Sequence, residues 1–421
     1  MQVEISDRLY LSGGPEALQS EIKSRLTFPN PKWEANEKMG RWQGDTPRLL
    51  KCYEVGQDGS LVIPRGFIDR LVSICRNHGE PFDIEDRRRI LSEVDFTFTG
   101  RLRPYQKEAV KAILERNSGT LDAPTGSGKT VIAAAVIAER RQPALIVVHS
   151  KELLHQWVDR IGQFLGIPAA EVGIIGGGRK QTGERITVAL VQSLYKCAEE
   201  VAPHIGHLVV DECHRCPSRT FTEAVTAFDC QYVLGLSATP WRRDRLSRLI
   251  FWYLGNVCHE VDPAQLVDEG ALVEVEIVLR ETGFRTEFDA SAEYSKMLSE
   301  LTEDEARNRL IASDIAVDAL NGGGICLCLS DRKHHCLALQ DILTQDFGQP
   351  CEVLTGDLTA AQRKAIVERL NAGDIKVLIA TGQLIGEGFD CREFSTLFLA
   401  TPVRFSGRVL QYLGRVLRPA P

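Results

Sequence analysis

Residues 123–130 read Ala-Pro-Thr-Gly-Ser-Gly-Lys-Thr. Glycines at 126 and 128 let a backbone wrap closely around an anion, with N–H groups and a helix start pointing inward. At this spacing Pro124, Thr125, Gly126, Ser127, Gly128, Lys129 and Thr130 can cradle the phosphates of a nucleotide. Lys129 would reach the β- and γ-phosphates, and the Thr130 hydroxyl would ligate Mg²⁺. A glycine-rich turn that merely joins a strand to a helix is the plainer alternative, but it does not call for Lys-Thr at this offset. A second motif, Leu208-Val209-Val210-Asp211-Glu212-Cys213-His214, puts two carboxylates at the end of an apolar run. Asp211 would hold Mg²⁺, directly or through water, and Glu212 would polarise an attacking water. Together the two motifs describe a nucleotide-hydrolysis site.

Such groups need a scaffold. Apolar runs at 119–122, 144–148, 186–190, 207–210 and 232–236 predict strands, and the amphipathic segments between them predict helices. Strands that are apolar throughout belong in a parallel sheet covered by helices on both faces. Ligands bind such sheets beyond the C-terminal strand ends, where both motifs fall. After about residue 274 the pattern pauses through a polar helical stretch, 291–318, and resumes with runs at 324–329, 375–380 and 396–400. Residues 1–98 instead alternate short strands and turns. Asp58-Gly59 is a hairpin signal between 46–55 and 60–64, and Phe67, Leu71, Ile74 and Cys75 recur at helical spacing. The acidic stretch 80–95, broken by Arg87-Arg88-Arg89, reads as the way out of this block. The expected fold class is α/β: two tandem domains, each a parallel sheet flanked by helices, preceded by a small α+β domain. The expected limits are 1–98, 99–272 and 273–421.

A chain of 421 residues, 43% hydrophobic and 25% charged, suits two to four globular domains. No apolar run approaches the ~20 residues of a membrane span. The first residues, with Glu4 and Asp7, lack the basic-then-apolar pattern of a signal peptide. Membrane and secretory readings are excluded, and the twelve scattered cysteines are expected to be reduced thiols of a cytoplasmic protein. Cys213 and Cys216 form one C-x-x-C and Cys326, Cys328 and Cys336 cluster loosely, but no second pair completes a zinc set. A net charge of −7 rules out a polycation, though not a local basic track on phosphates.

Further motifs, in order from about residue 101 to the end, resemble those of the superfamily-2 helicases of the XPB-like and UvsW-like branch. Asp211-Glu212-Cys213-His214 is similar to the DExH box, and Leu102-Arg103-Pro104-Tyr105-Gln106 to the adenine-recognising segment. His149-Ser150-Lys151 resembles motif Ia, Val191-Gln192-Ser193-Leu194 a later strand-contacting motif, and Ser237-Ala238-Thr239-Pro240 motif III. Cys328-Leu329-Ser330-Asp331-Arg332 resembles motif IV. Ala380-Thr381-Gly382 through Gly386-Glu387-Gly388-Phe389-Asp390 resembles motif V, and Gln411-Tyr412-Leu413-Gly414-Arg415-Val416-Leu417-Arg418 motif VI. The resemblance implies two RecA-like domains with ATP and Mg²⁺ in their cleft. It implies that Gln106 reads adenine with Arg103 nearby, and that Gly388 and Asp390 belong to the nucleotide site. Arg415 and Arg418, three apart on a helix and so on one face, would be arginine fingers on the transferring phosphoryl group. Ser150, Gln192, Ser193, Arg332, Thr355 and Thr381 would touch a sugar-phosphate backbone, positioning a strand without reading its sequence. Each Ser or Thr could equally cap a helix, Ser150 above all. The glycine-rich basic loop 176–180 could lie along a phosphate backbone or be a plain hairpin turn.

Two departures stand out. Arg242-Arg243-Asp244 takes the place of the Arg-Glu-Asp element of XPB-like proteins, and the chain stops at Pro421, where family members usually continue with another strand and helices. In residues 22–53, seven Lys or Arg stand against three acids, with Trp33 and Trp42 among them. That suits a nucleic-acid surface with stacking platforms, or a small domain with two core tryptophans. The expected function is an ATP-dependent DNA helicase or translocase of repair or recombination, acting on single- or double-stranded DNA without sequence preference, RNA not excluded. The alternatives are a motor subunit working with a separate nuclease in a restriction or defence complex, or an ATP-gated nucleic-acid clamp.

Overall fold

Short strands with alternating apolar residues open the chain. In the computed structural model, which describes every residue except 216–218, 239–245, 272–275, 291, 383–393 and 404–421, the first block contains β1 (Gln2–Ile5), β2 (Arg8–Ser12), α1 (Glu16–Arg25), β3 (Thr27–Pro29), α2 (Pro31–Lys38), β4 (Leu49–Lys51), β5 (Glu54–Val55), β6 (Leu61–Pro64), α3 (Ile68–Asn77) and β7 (Asp83–Asp86). Five strands form one sheet in the order β5-β6-β2-β1-β7. Val3, Leu9, Leu11, Leu61 and Ile63 turn one face of it onto Leu18 and Ile22 of α1 and Leu71 and Ile74 of α3. The Asp-Gly step makes the β5–β6 hairpin, with Gly59 at φ +81°. The strand expected over 46–55 is two pieces, because Leu49–Lys51 pairs with β3 rather than β6. The acidic stretch is more than an exit: Asp83–Asp86 adds to the sheet in parallel with β1. Arg87 and Arg88 are held by Glu85 and Asp86, two residues back, at 2.9 and 2.5 Å.

The next block holds α4 (Pro104–Leu114), β8 (Ser118–Asp122), α5 (Lys129–Arg140), β9 (Ala144–Val148), α6 (Lys151–Leu165), β10 (Gly173–Gly176), β11 (Arg179–Gln181), β12 (Ile186–Leu190), α7 (Val191–Leu194), α8 (Ala198–Val201), β13 (His207–Val210), α9 (Arg219–Thr226), β14 (Tyr232–Ser237), α10 (Ser247–Leu254) and β15 (Val257–Glu260). Its eight-stranded sheet runs β11-β10-β12-β9-β13-β14-β8-β15, parallel throughout except for β11. Every residue of β9, β12 and β13 is buried, as strands covered on both faces must be. The loop 176–180 is the β10–β11 hairpin turn, and its Lys180 pairs with Glu200 at 2.5 Å.

The first sheet is fastened to this block through α10. Trp252, 2% exposed, leaves its own helix's domain and enters the N-terminal core, edge-on to Phe28 and Phe67 at 5.7 and 5.9 Å between ring centres. Gly66 passes so close beneath that a Cβ there would lie 2.3 Å from the Phe251 carbonyl oxygen. The buried Arg65 guanidinium donates to the Phe228 and Cys230 carbonyls at 3.2 and 2.9 Å. The connecting segment is pinned as well. The Gln142 amide exchanges two hydrogen bonds with the Leu91 backbone, and Arg89 pairs with Asp229 at 2.8 Å.

The last block contains α11 (Pro263–Asp268), α12 (Tyr294–Glu303), α13 (Glu305–Asn321), β16 (Ile325–Ser330), α14 (Lys333–Gln345), β17 (Glu352–Leu354), α15 (Ala360–Asn371), β18 (Val377–Thr381) and β19 (Phe394–Leu399). Its sheet is parallel, in the order β17-β18-β16-β19. Period-two alternation sends Ile325, Leu327 and Leu329 onto Ile366 and Leu370 of α15. Cys326 and Cys328 face Ala312 and Ile315 of α13 and Leu339 of α14. The polar helical stretch divides at Asp304, whose carboxylate accepts the Arg307 N–H at 2.7 Å and caps α13. The chain forms two compact units, Met1–Ala123 with Gly128–Val261, and Pro124–Ser127 with Asp262–Pro421. Among the described residues no helix is long and apolar enough to cross a membrane.

Candidate nucleotide site

Three strand ends of the eight-stranded sheet carry the site. β8 runs into the glycine-rich loop, β13 into Asp211 and Glu212, and β14, lying between them, ends at Ser237, the first residue of motif III, whose Thr239 and Pro240 lie outside the described residues. The loop is built for a close approach: Gly126 and Gly128 have φ of +93° and +79°. Gly128 starts α5, and a Cβ on it would come 2.5 Å from the Gln106 amide nitrogen. Gln106 is buried at the first turn of α4, its Oε1 accepting the Arg103 N–H at 3.0 Å. The residue expected to read adenine thus stands beside the last glycine of the loop. Lys129 donates to the Ala123 carbonyl at 3.0 Å.

The acidic pair is half-buried and tightly held. Asp211 Oδ1 accepts the Glu212 N–H at 2.8 Å, and Oδ2 accepts the indole N–H of Trp157 on α6, also at 2.8 Å. Burial and then the Glu212 carboxylate push the Asp211 carboxyl up, opposed by the Trp157 hydrogen bond and the Lys129 charge. Asp122, at the end of β8, is pushed up to about 6 by burial and then by Glu260, again opposed by Lys129. The Lys129 charge thus reaches both Asp122 and Asp211, whose carboxylate oxygens are hard donors of the kind Mg²⁺ takes. Glu212 itself has φ +48°, a left-handed conformation rare for a residue with a Cβ. His214 Nδ1 lies 3.2 Å from both Glu212 Oε2 and Ser237 Oγ, joining the acidic motif to motif III.

Residues 99–242 match the family described as type III restriction enzyme, res subunit, and 307–420 match the helicase conserved C-terminal domain. The DNA 3'-5' translocase XPB2 of Sulfurisphaera tokodaii is 27% identical over 371 residues, 80% of this chain and 83% of that protein. The ATP-dependent DNA helicase uvsW of Enterobacteria phage T4 is 22% identical over 96% of this chain and 84% of its own length. Over most of its length the chain is similar to superfamily-2 helicases of the XPB and UvsW type. A protein of Acanthamoeba polyphaga mimivirus that bears an ATP-dependent RNA helicase name is 26% identical over 77% of this chain, which spans 62% of that relative's length. In fold, the chain is similar to the Pyrococcus furiosus Hef helicase domain, with a TM-score of 0.51 at 15% identity over 75% of this chain and 93% of that one.

The helicase motifs distribute as follows. Ser150 is the N-cap of α6, its hydroxyl oxygen accepting the Leu153 N–H at 3.3 Å, which leaves its own O–H available to a phosphate. Gln192 is exposed and Ser193 half-buried on α7, which follows β12, with β9 between that strand and the β13 that leads into Asp211. In the other unit Arg332 precedes α14 and donates to Ser295 Oγ at 2.9 Å, while Thr355 follows β17 and Thr381 ends β18, both half-buried. Gly388, Asp390, Arg415, Arg418 and Arg242-Arg243-Asp244 lie outside the described residues, as does Cys216; Cys213 is buried. Two parts of the site were missed by the motif reading. His214's bridge to Ser237 needs the β13–β14 pairing to be seen, and Trp157 reads in sequence as one more apolar position of α6.

Proposed function

We propose that this chain is an ATP-dependent DNA helicase or translocase. The observation that carries the reading is the convergence of Lys129, Asp122 and the Asp211-Glu212 pair at one edge of a parallel sheet, close enough for Lys129 to bias both Asp122 and Asp211. In this reading Gln106 and Arg103 hold the adenine, while the loop from Pro124 to Thr130 holds the phosphates. Thr130 and Asp211 would hold Mg²⁺, which when bound neutralises charge on the β- and γ-phosphates. Glu212 orients the attacking water. Arg415 and Arg418 would act as arginine fingers on the transferring phosphoryl group, with Gly388 and Asp390 contributing to the nucleotide site, so hydrolysis would depend on closure of the second domain. Domain limits of 1–98, 99–272 and 273–421 belong to this proposal. Ser150, Gln192, Ser193, Arg332, Thr355 and Thr381 track one strand. The names of the Sulfurisphaera and phage T4 relatives support DNA as that strand, and the mimivirus relative's name keeps RNA in the comparison.

A second contact with nucleic acid is proposed for the segment after β3. No residue of α2 is buried, Trp42 is 90% exposed, and the Arg48 guanidinium lies 5.2 Å over the half-buried Trp33 ring. The alternative of a motor subunit for a separate nuclease draws on the restriction-subunit description of the first matching family. ATPase rates with no nucleic acid, single- and double-stranded DNA and RNA, followed by strand displacement, test these readings. Stimulation by DNA with displacement is expected. Stimulation without displacement selects translocation or clamping, and no stimulation by any nucleic acid overturns the proposal.

A further inference from the structure

Helix α6 joins two places that the motifs treat separately. It begins at Ser150, the proposed strand contact, and two turns later Trp157 reaches the acidic pair. Trp157 is buried, and its N–H donates to Asp211 Oδ2 at 2.8 Å while the Glu212 N–H holds Oδ1 at 2.8 Å. Each carboxylate oxygen therefore has one fixed donor, and the plane of the carboxylate is set. Indole nitrogen is a donor only, so it can orient a carboxylate without exchanging a proton with it. Packing alone asks for a large ring at this site; the N–H is an addition that a buried position must satisfy.

We infer that Trp157 is a positioning residue for the metal-holding carboxylate. Its N–H fixes Asp211 in the orientation that receives the Mg²⁺ carried in by the nucleotide, an inference that rests on the proposed role of Asp211. Partners that orient a metal ligand cost about 10–100-fold in metal affinity when removed.

The test is equilibrium binding of a fluorescent ATP analogue to the full chain as Mg²⁺ is raised, compared among the parent, Trp157→Phe and Asp211→Asn. Phenylalanine keeps a ring and removes the donor. The Mg²⁺ midpoint of Trp157→Phe is expected to rise about tenfold or more, with cooperative unfolding retained in metal-free buffer and kcat recovered at high Mg²⁺. A midpoint unchanged in Trp157→Phe but lost in Asp211→Asn overturns the role of Trp157 alone. A Mg²⁺ response unchanged in Asp211→Asn overturns the role of Asp211 as well. Should Trp157→Phe not fold, indole ¹⁵N–¹H spectra of the parent and Asp211→Asn decide the matter. One of the five tryptophan signals must move both with the substitution and with Mg²⁺-nucleotide, and a spectrum in which none does overturns the inference.

Discussion

Glu212 occupies a backbone conformation that costs a residue with a Cβ about 1–3 kcal/mol, and such strain persists where surrounding structure holds it in place. Here the hold comes from Asp211 Oδ1 on its N–H and His214 beside its carboxylate. Glu212→Gln keeps the shape and removes the carboxylate proposed to orient the attacking water. ATP is expected to bind and persist while turnover falls by about 10²–10⁴-fold, read by nucleotide binding and phosphate release on the same sample. Lys129→Ala is expected to weaken binding itself; a variant that binds ATP as the parent does would remove Lys129 from the cradle. His335 offers a different residue-scale prediction. It is buried between Ser330 Oγ at 2.9 Å and Asn308 Oδ1 at 2.8 Å, and burial, then Arg307, lowers its pKa to about 4. The unfolded histidine binds its proton first, near 6.5. This contribution to stability is therefore complete above about pH 6.5 and is lost as pH falls toward 4, at about 1.4 kcal/mol per pH unit. His335→Gln should flatten the dependence of melting temperature on pH across that window; an unchanged slope would show that His335 does not set it.

At the scale of elements, α10 has two allegiances. Its Ile250, Phe251 and Leu254 pack with the eight-stranded sheet, while Trp252 belongs to the N-terminal core. Trp252→Ala is expected to destabilise by about 3–5 kcal/mol, and Gly66→Ala to do so without removing any side chain, because a methyl cannot fit against the Phe251 carbonyl. Limited proteolysis near residues 87–100 reports whether the N-terminal sheet has come loose; a cleavage rate equal to the parent's in both variants would refute this docking. The segment around α2 is the opposite case, with little to lose on substitution. Trp42→Ala should leave the melting temperature unchanged and weaken single-strand binding by about 1–3 kcal/mol if Trp42 stacks on a base. Lys38→Ala with Arg41→Ala should flatten the salt dependence of duplex affinity by about 0.9 for each phosphate that these two side chains neutralise. Unchanged affinity and slope would leave α2 as a surface for another protein.

In the proposed cycle the whole molecule must bring motif VI to the phosphate loop for each turnover. Arg415→Ala and Arg418→Ala are expected to leave nucleotide affinity within a modest factor and to cut DNA-stimulated hydrolysis by about 10³–10⁵-fold, the usual worth of an arginine finger. Stimulated hydrolysis persisting in the double variant would make both an ordinary helix surface. The same logic bears on the N-terminal block. Fastened to the eight-stranded sheet's block by Trp252, Arg65 and the Gln142–Leu91 pair, it belongs to one compact unit with Ser150 and Gln192, and any nucleic acid held by Trp42 is held by the unit that also carries the acidic motif.

Much of this was legible in the chain. Apolar runs such as 144–148 and 207–210 dictate strands buried on both faces, because burial of the whole run is the dominant gain and only helices on both sides supply it. The glycine-rich loop and the acidic pair stand out in the sequence because the chemistry proposed for them requires particular residue types at fixed local spacing. The hairpin at 56–59 follows from the φ > 0 that Gly59 adopts. Tertiary structure decided what depends on partners far away in sequence. Asp83–Asp86, exposed and acidic, reads as linker yet becomes a strand because the edge of β1 is free to pair with it. Trp252 and Trp42 are the same residue type, and only packing sends one into a core and the other into solvent. Trp157 has the spacing of an ordinary core position; it becomes part of the site because β13 lies beside β9 and sets Asp211 within reach of the helix that β9 feeds.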